Sequence, residues 1–410
     1  MPGHRPAGLF TGKGAPQGNL CQGGSHHRLH QDPDYLQEWV DRYYRWRTTG
    51  VLDVTAINTF LGQQAALLAT ADNGGVDRPI TRNFFRWPRT VRSTSTNQTN
   101  AAQVIFGGEA TSEISRHKTW LQQRLAFMDS YVLKAPVSSF PGGPISAATP
   151  VSLTTTETGA QIYYTTDGSD PRAPDGAVAA GALTYAAPFQ FNASSMLIAR
   201  VRKTGAAAKH TEWSGSLRVY CIIGARPAVA GDLTISEVMY HPADPSPAEI
   251  AAGFTNSDDF EFIELTVTAG SRINLYGAKF TAGFDFTFDG ATHPELLELN
   301  PGGRVLVVKN IAAFTHRYGA AAATCIAGQF DGNDQLNNAG ELITFTAPGG
   351  TSFSLTYSDA APWPDADGNG ASIVLIAPQL RPAVNEPANW RASLQPDGNP
   401  GSDDALSFHR

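Results

Sequence analysis

Residues 365–370 read Asp365-Ala366-Asp367-Gly368-Asn369-Gly370. Three short oxygen-bearing side chains at alternate positions, followed by a glycine, form the first half of a loop that can wrap Ca2+. Asp365, Asp367 and Asn369 are therefore the candidate metal ligands. The twelfth position of such a loop requires a bidentate Glu, and Ile376 stands there. The segment also leads into strand-like sequence rather than a helix, so an Asx/Gly turn is the favoured reading. Asp331-Gly332-Asn333-Asp334 is a weaker copy.

Other constellations carry less. Glu237, Glu261 and Glu264 offer the carboxylates that glycosidic acid/base chemistry uses, but that chemistry needs two of them across a cleft. Strict alternation along Phe260-Glu261-Phe262-Ile263-Glu264-Leu265 puts Glu261 and Glu264 on opposite faces of a strand with one wet face. Ser236 and the scattered histidines have no nucleophile-elbow or triad context. Phosphoryl transfer needs a phosphate-holding Lys and acidic Mg2+ ligands. No Gly-rich loop leads to a lysine, and Asp32, Asp34, Asp41 and Asp53 stand at or near helix starts, where capping accounts for them. Asp167-Gly168-Ser169-Asp170 reads as a turn with Asp caps. His26, His27 and His30 lie in a stretch expected to be floppy. Asn97 and Asn192 head glycosylation sequons on paper, meaningless if the source is bacterial. Cys21, Cys221 and Cys325 give no metal spacing, and a Cys221–Cys325 disulfide is left open. No catalytic residue and no cofactor is assigned.

The elements that must position these residues change along the chain. Residues 1–30 are Gly-, Pro- and His-rich and expected to be disordered. Residues 31–134 show helical spacing, from Asp34 to Trp46 behind an Asp32-Pro33 start, from about Thr55 to Ala71, and from Glu113 to Leu133, with a polar loop over Ser93 to Ala102. Residues 135–223 carry short alternating runs, including 161–166 and 196–202, as a small β-sandwich would. Residues 231–376 repeat this on a larger scale, with strands expected at 233–239, 260–267, 278–280, 284–288, 304–309, 342–346, 353–357 and 372–375. Residues 377–410 are rich in Pro, Asn and Gly and read as a linker or tail.

Composition agrees. The chain has 410 residues, 41% hydrophobic and only 16% charged, with 40 Gly and 27 Pro. The hydrophobic content is enough for a sizeable core. No apolar run reaches the length of a membrane helix, and Met1 to Leu20 lacks the apolar region of a secretory signal. The net charge of −7 hides a segmental split. Residues 1–134 hold 15 Lys/Arg against 10 Asp/Glu, and residues 223–410 hold 9 against 22. The acidic end repels nucleic acid and anionic membranes, so no nucleic-acid partner is expected.

Three resemblances follow. Gln31 to Arg42, Gly50-Val51-Leu52, Asn83-Phe84-Phe85-Arg86-Trp87 and Trp120 to Asp129 resemble the C-terminal end of bacterial CotH-like (spore-coat-protein-H) kinase domains, whose catalytic core would precede this stretch and has no counterpart here. Ile162 to Arg172, Ile198-Ala199-Arg200-Val201 and Trp213-Ser214 resemble the C-terminal Ig-like domain of the chitobiase/β-hexosaminidase type, an accessory sandwich. Leu233 to Tyr240, Asp259 to Leu265, Asn274 to Gly277, Pro301 to Val308, Leu336 to Glu341 and Ala366 to Gly370 resemble a bacterial lamin tail domain. The expected fold is mainly β, two Ig-like β-sandwiches preceded by a small α-helical segment. The resemblances imply a non-catalytic extracellular or cell-envelope multidomain protein whose sandwiches serve as spacer and interaction modules toward a protein or polysaccharide. The alternatives are a fragment of a CotH-like kinase and a carbohydrate-binding accessory protein.

Overall fold

The computed structural model describes residues 29, 31–69, 113–206, 209–290, 293–330, 334–350 and 352–404. Cys21, His26, His27, His30, the 83–87 motif, the 93–102 loop, the Asn97 sequon and residues 331–333 lie outside them. The helices are α1 (Pro33–Thr48), α2 (Val54–Ala69), α3 (Glu113–Tyr131), α4 (Pro247–Ala251) and α5 (Ile311–Ala323). The strands are β1 (Val137–Ser138), β2 (Gly143–Pro144), β3 (Leu153–Thr154), β4 (Gln161–Thr165), β5 (Leu183–Thr184), β6 (Ser195–Arg202), β7 (Leu217–Ile222), β8 (Arg226–Pro227), β9 (Leu233–Met239), β10 (Phe262–Val267), β11 (Ile273–Asn274), β12 (Lys279–Ala282), β13 (Phe286–Thr287), β14 (Glu298–Leu299), β15 (Arg304–Val308), β16 (Ile326–Gln329), β17 (Leu342–Thr346), β18 (Ser352–Thr356), β19 (Ile373–Leu375) and β20 (Trp390–Ala392). The chain is mainly β. It divides into two compact units, Met1–Phe140 with Val151–Phe189 and Leu197–Arg218, and Pro141–Pro150 with Gln190–Met196 and Val219–Arg410.

In the first unit, Asp32 caps α1 by accepting from the Asp34 and Tyr35 amides at 2.8 and 3.3 Å, with Pro33 at the first helical position. Helical spacing then brings Val40 and Tyr43 onto Leu125 and Val132, a small apolar core. Asp53 caps α2 in the same way, through the Ala56 amide. Capping does not account for Asp34 and Asp41, however. Asp34 takes the Arg172 guanidinium at 2.6 Å, and Asp41 takes Arg200. The sandwich part pairs β4 antiparallel with β5 and β6, so Ile162 and Tyr164 are buried while Tyr163 is half-exposed beside Trp213.

The second unit is built on a six-stranded sheet ordered β16-β15-β10-β9-β19-β20 and a four-stranded sheet ordered β13-β12-β17-β18. Ile235, Val238, Ile263, Leu265, Val305 and Val307 on one face of the large sheet pack with Phe280, Phe345 and Leu355 of the small one. The other face is also covered. Met239, Phe262, Leu306, Val308 and Ile326 pack against Phe314 of α5, whose ring meets Phe262 edge-on at 5.7 Å.

Two expectations are corrected here. The face of β10 that carries Glu264 is not wet, because every residue of Phe262–Val267 is buried. Residues 377–404 are not a free linker: β20 pairs antiparallel with β19, and Trp390 is buried and donates to the Val384 carbonyl at 2.7 Å. Proline and glycine there shape turns of a packed segment rather than freeing it.

Candidate functional site

The helix-covered face of the large sheet brings two of the predicted carboxylates together. β9 and β10 run antiparallel with Glu264 opposite Glu237, and the register slips immediately beyond this pair. A bulge of this kind opposes two residues to one and breaks the alternation of faces. Leu233 and Ile235 precede it on the core face, and Val238 and Tyr240 follow it there. Glu237 is thereby turned onto the outer face beside Glu264, where Arg304 of β15 joins them. The exposure of Glu237 is 2% and that of Glu264 is 0%.

Donors converge on both carboxylates, on Glu237 through Oε1 and on Glu264 through both oxygens. Glu237 Oε1 accepts from Ser372 Oγ at 2.6 Å and from the Asn399 amide at 3.0 Å. Glu264 Oε1 accepts from Ser236 Oγ at 2.6 Å and from the Arg304 guanidinium, and its Oε2 accepts from the Gly401 amide at 2.8 Å. Thr266 donates in turn to Ser236 at 2.8 Å. Arg304 bridges onward to Asp403. Gly398, with φ of +74°, lies so close that a Cβ there would come within 2.2 Å of Glu237 Oε1. Burial pushes both carboxyls up, Glu237 further through the charge of Glu264, while Arg304 opposes the rise at Glu264. A cavity of about 220 Å3 adjoins the pair, bounded also by Val374 to Pro378, Arg391 and residues 402–404.

The remaining predicted residues lie elsewhere. Glu261 precedes β10 and is fully buried; its Oε2 accepts the Leu336 amide at 2.9 Å, while Oε1 has no partner. Burial raises it to about 9. The structure therefore separates Glu261 from Glu264 and joins Glu264 to Glu237, a pairing that strict alternation missed. The signal was available in Arg304-Val305-Leu306-Val307-Val308, since an unbroken apolar run marks a strand covered on both faces.

In the 365–370 loop, Asn369 Oδ1 accepts the Ala371 amide at 2.9 Å, and its Nδ2 donates to the Asp365 carbonyl at 3.2 Å. Asp367 pairs with His241. Among the described residues no three His, Cys, Asp or Glu side chains are grouped as metal ligands. Asp334 Oδ2 accepts the Asp285 amide at 2.9 Å. Cys221 and Cys325 are both free thiols, and burial pushes Cys221 up to about 12.

In the first unit, Asp167 accepts the Ser169 amide at 3.0 Å and Asp170 the Arg172 amide at 2.9 Å. Asp170 also grips Arg200, which is held on its other side by Asp41. A cavity of about 640 Å3 in this unit is bounded by Tyr43, Tyr44, Arg47, Asp129, Lys134 and residues 154–156. Arg47 and Asp129 are committed there to each other, at 3.1 and 2.9 Å.

Residues 140–211 match the family model of the chitobiase/beta-hexosaminidase C-terminal domain. No curated protein matches the chain. Among solved structures, the crystal structure of a DUF4876 family protein from Bacteroides thetaiotaomicron is 10% identical over 66% of this chain and 94% of its own, with a TM-score of 0.26, too low to carry an argument. No described helix is long and apolar enough to cross a membrane.

Proposed function

We propose that this chain is a non-catalytic, extracellular or cell-envelope multidomain protein whose Ig-like and lamin-tail-like sandwiches act as spacer and interaction modules. The observation that carries the reading is the state of the Glu237–Glu264 pair. Two adjacent acids are the natural catalytic suspects, yet three hydroxyl or guanidinium donors and two backbone amides already occupy them. General acid/base work needs a carboxyl free to exchange a proton with substrate, and these, although a cavity of about 220 Å3 adjoins them, are tied down by those five donors. The match over residues 140–211 supports an accessory role for that stretch, and domain analogy supplies the location. Lamin-tail likeness over residues 231–376 rests on the sequence motifs given above. A glycan array and an envelope-protein pull-down with the full chain test the reading. Hydrolysis or phosphoryl transfer by the purified chain would overturn it.

A second reading is favoured by the helices of residues 31–134. Phe60, Leu67 and Trp120 are 57%, 65% and 56% exposed on them. Large apolar side chains so exposed suit a segment that belongs against further protein, as it would at the end of a CotH-like kinase domain. An in-frame upstream reading frame with acidic catalytic motifs would favour this reading for the gene product.

A further inference from the structure

We propose that Glu237 and Glu264 are a proton-dependent latch for residues 393–404: with one proton on the pair the segment is held against the sheet, and with both carboxyls ionised it lifts away. The two carboxylates are the anchoring points. Glu237 receives the Asn399 amide and Glu264 the Gly401 amide, at 3.0 and 2.8 Å, so alternate residues of the segment hang on neighbouring strands. Glycines at 398 and 401, both with positive φ, let the backbone come this close.

Charge makes the latch sensitive. From β15, Arg304 faces Glu264 and Asp403. From α5, Arg317 is matched by Glu249 and Asp397, and the Tyr318 phenol feels Glu237 and Asp397. From β20, Arg391 is matched by Asp404. Among the described residues Arg304 is thus the one cation paired with either carboxylate, against Glu237, Glu264 and Asp403. A second ionisation adds a buried negative charge that the serine hydroxyls and the two amides solvate but that no second cation among the described residues neutralises, which costs more than the same charge in water. Lifting residues 393–404 is the local way to hydrate it, since that segment supplies two of the donors that close the site. Opening then releases one proton, so the opening constant rises about tenfold per pH unit between the ordinary carboxylate value and the raised value of the pair, then levels off.

Hydrogen exchange of the full chain between pH 5 and 9, corrected for intrinsic rates, reads this at the Asn399 and Gly401 amides. The expected slope of log opening constant against pH is about one up to the raised value of the pair and flattens above it, while amides of β10 and β15 do not follow. Glu237→Gln keeps the Oε1 acceptor without the charge, and its slope falls to near zero. A flat profile in wild type, or an unchanged slope in Glu237→Gln, overturns the latch. If Glu237→Gln does not fold, the wild-type slope at the two amides, set against β10 and β15, decides alone.

Discussion

Glu237 and Glu264 stand directly opposite each other in the antiparallel pair β9–β10, both buried, with a bulge beside them. Like charges so placed repel. The site tolerates them because serine hydroxyls, Arg304 and two backbone amides converge on the pair, and because burial favours retention of a proton.

Glu261 makes the second unit less stable at alkaline pH. Its carboxyl is raised to about 9 in the folded chain, so the native state holds a proton that the unfolded chain releases above about pH 4.5. Stability therefore falls as pH rises from about 4.5 toward 9. Glu261→Gln keeps an acceptor for the Leu336 amide and removes this dependence. Its stability advantage over wild type should grow between pH 5 and 8, by up to about 1.4 kcal/mol per unit, in urea denaturation series. A constant difference would refute the assignment.

The Glu249–Arg317 pair has the opposite sign. Arg317 holds Glu249 through contacts of 2.8 and 3.1 Å and lies 3.4 Å over the Phe260 ring, and Glu249 is held down to about 2. Its contribution is present above about pH 4.5 and is lost as pH falls through about 2. Arg317→Ala leaves Glu249 buried without its partner and should destabilise by about 3–5 kcal/mol at pH 7. Arg317→Lys should recover only part, since an ammonium cannot fork or stack. Chemical denaturation of both variants checks this.

Arg200 clasps Asp41 on one side and Asp170 on the other while 3% exposed, and both carboxylates are about a third or more exposed. Arg200→Leu should destabilise the first unit by about 2–3 kcal/mol, below the range for fully buried pairs because the freed carboxylates reach water. Asp170→Asn should cost less, as Asp41 still holds the guanidinium. Unfolding followed at Trp213, which is buried in that unit, measures both.

Calcium should leave the second unit unchanged. Asn369 is engaged with Ala371 and Asp365, and Asp367 with His241. An ion bound at a hundred times its Kd would add about 2.7 kcal/mol. A melting temperature that rises with Ca2+ and falls with chelator would restore Asp365, Asp367 and Asn369 as ligands.

Local pattern carried much of the architecture. Asp32-Pro33 announced α1, and the alternating runs located β4, β6, β9 and β17 to within a residue or two. It failed where identity on a face depends on distant chain. α5 was not foreseen, because Ile311–Ala323 is largely alanine with little contrast between its sides. The 377–404 segment read as linker because its donors are backbone amides, which have no sequence signature.

The sequence by itself determined the β-rich class, the helical start and the residue types in each strand, since these follow from 3.6- and 2-residue periodicity and from turn chemistry. Only the tertiary structure decided which acids meet. One extra residue in β9 rotates Glu237 toward Glu264, and α5 with residues 393–404 then seals that face from water. A bulge is a property of the pairing of two strands, and burial is a property of what covers them. Neither belongs to one stretch of sequence read alone.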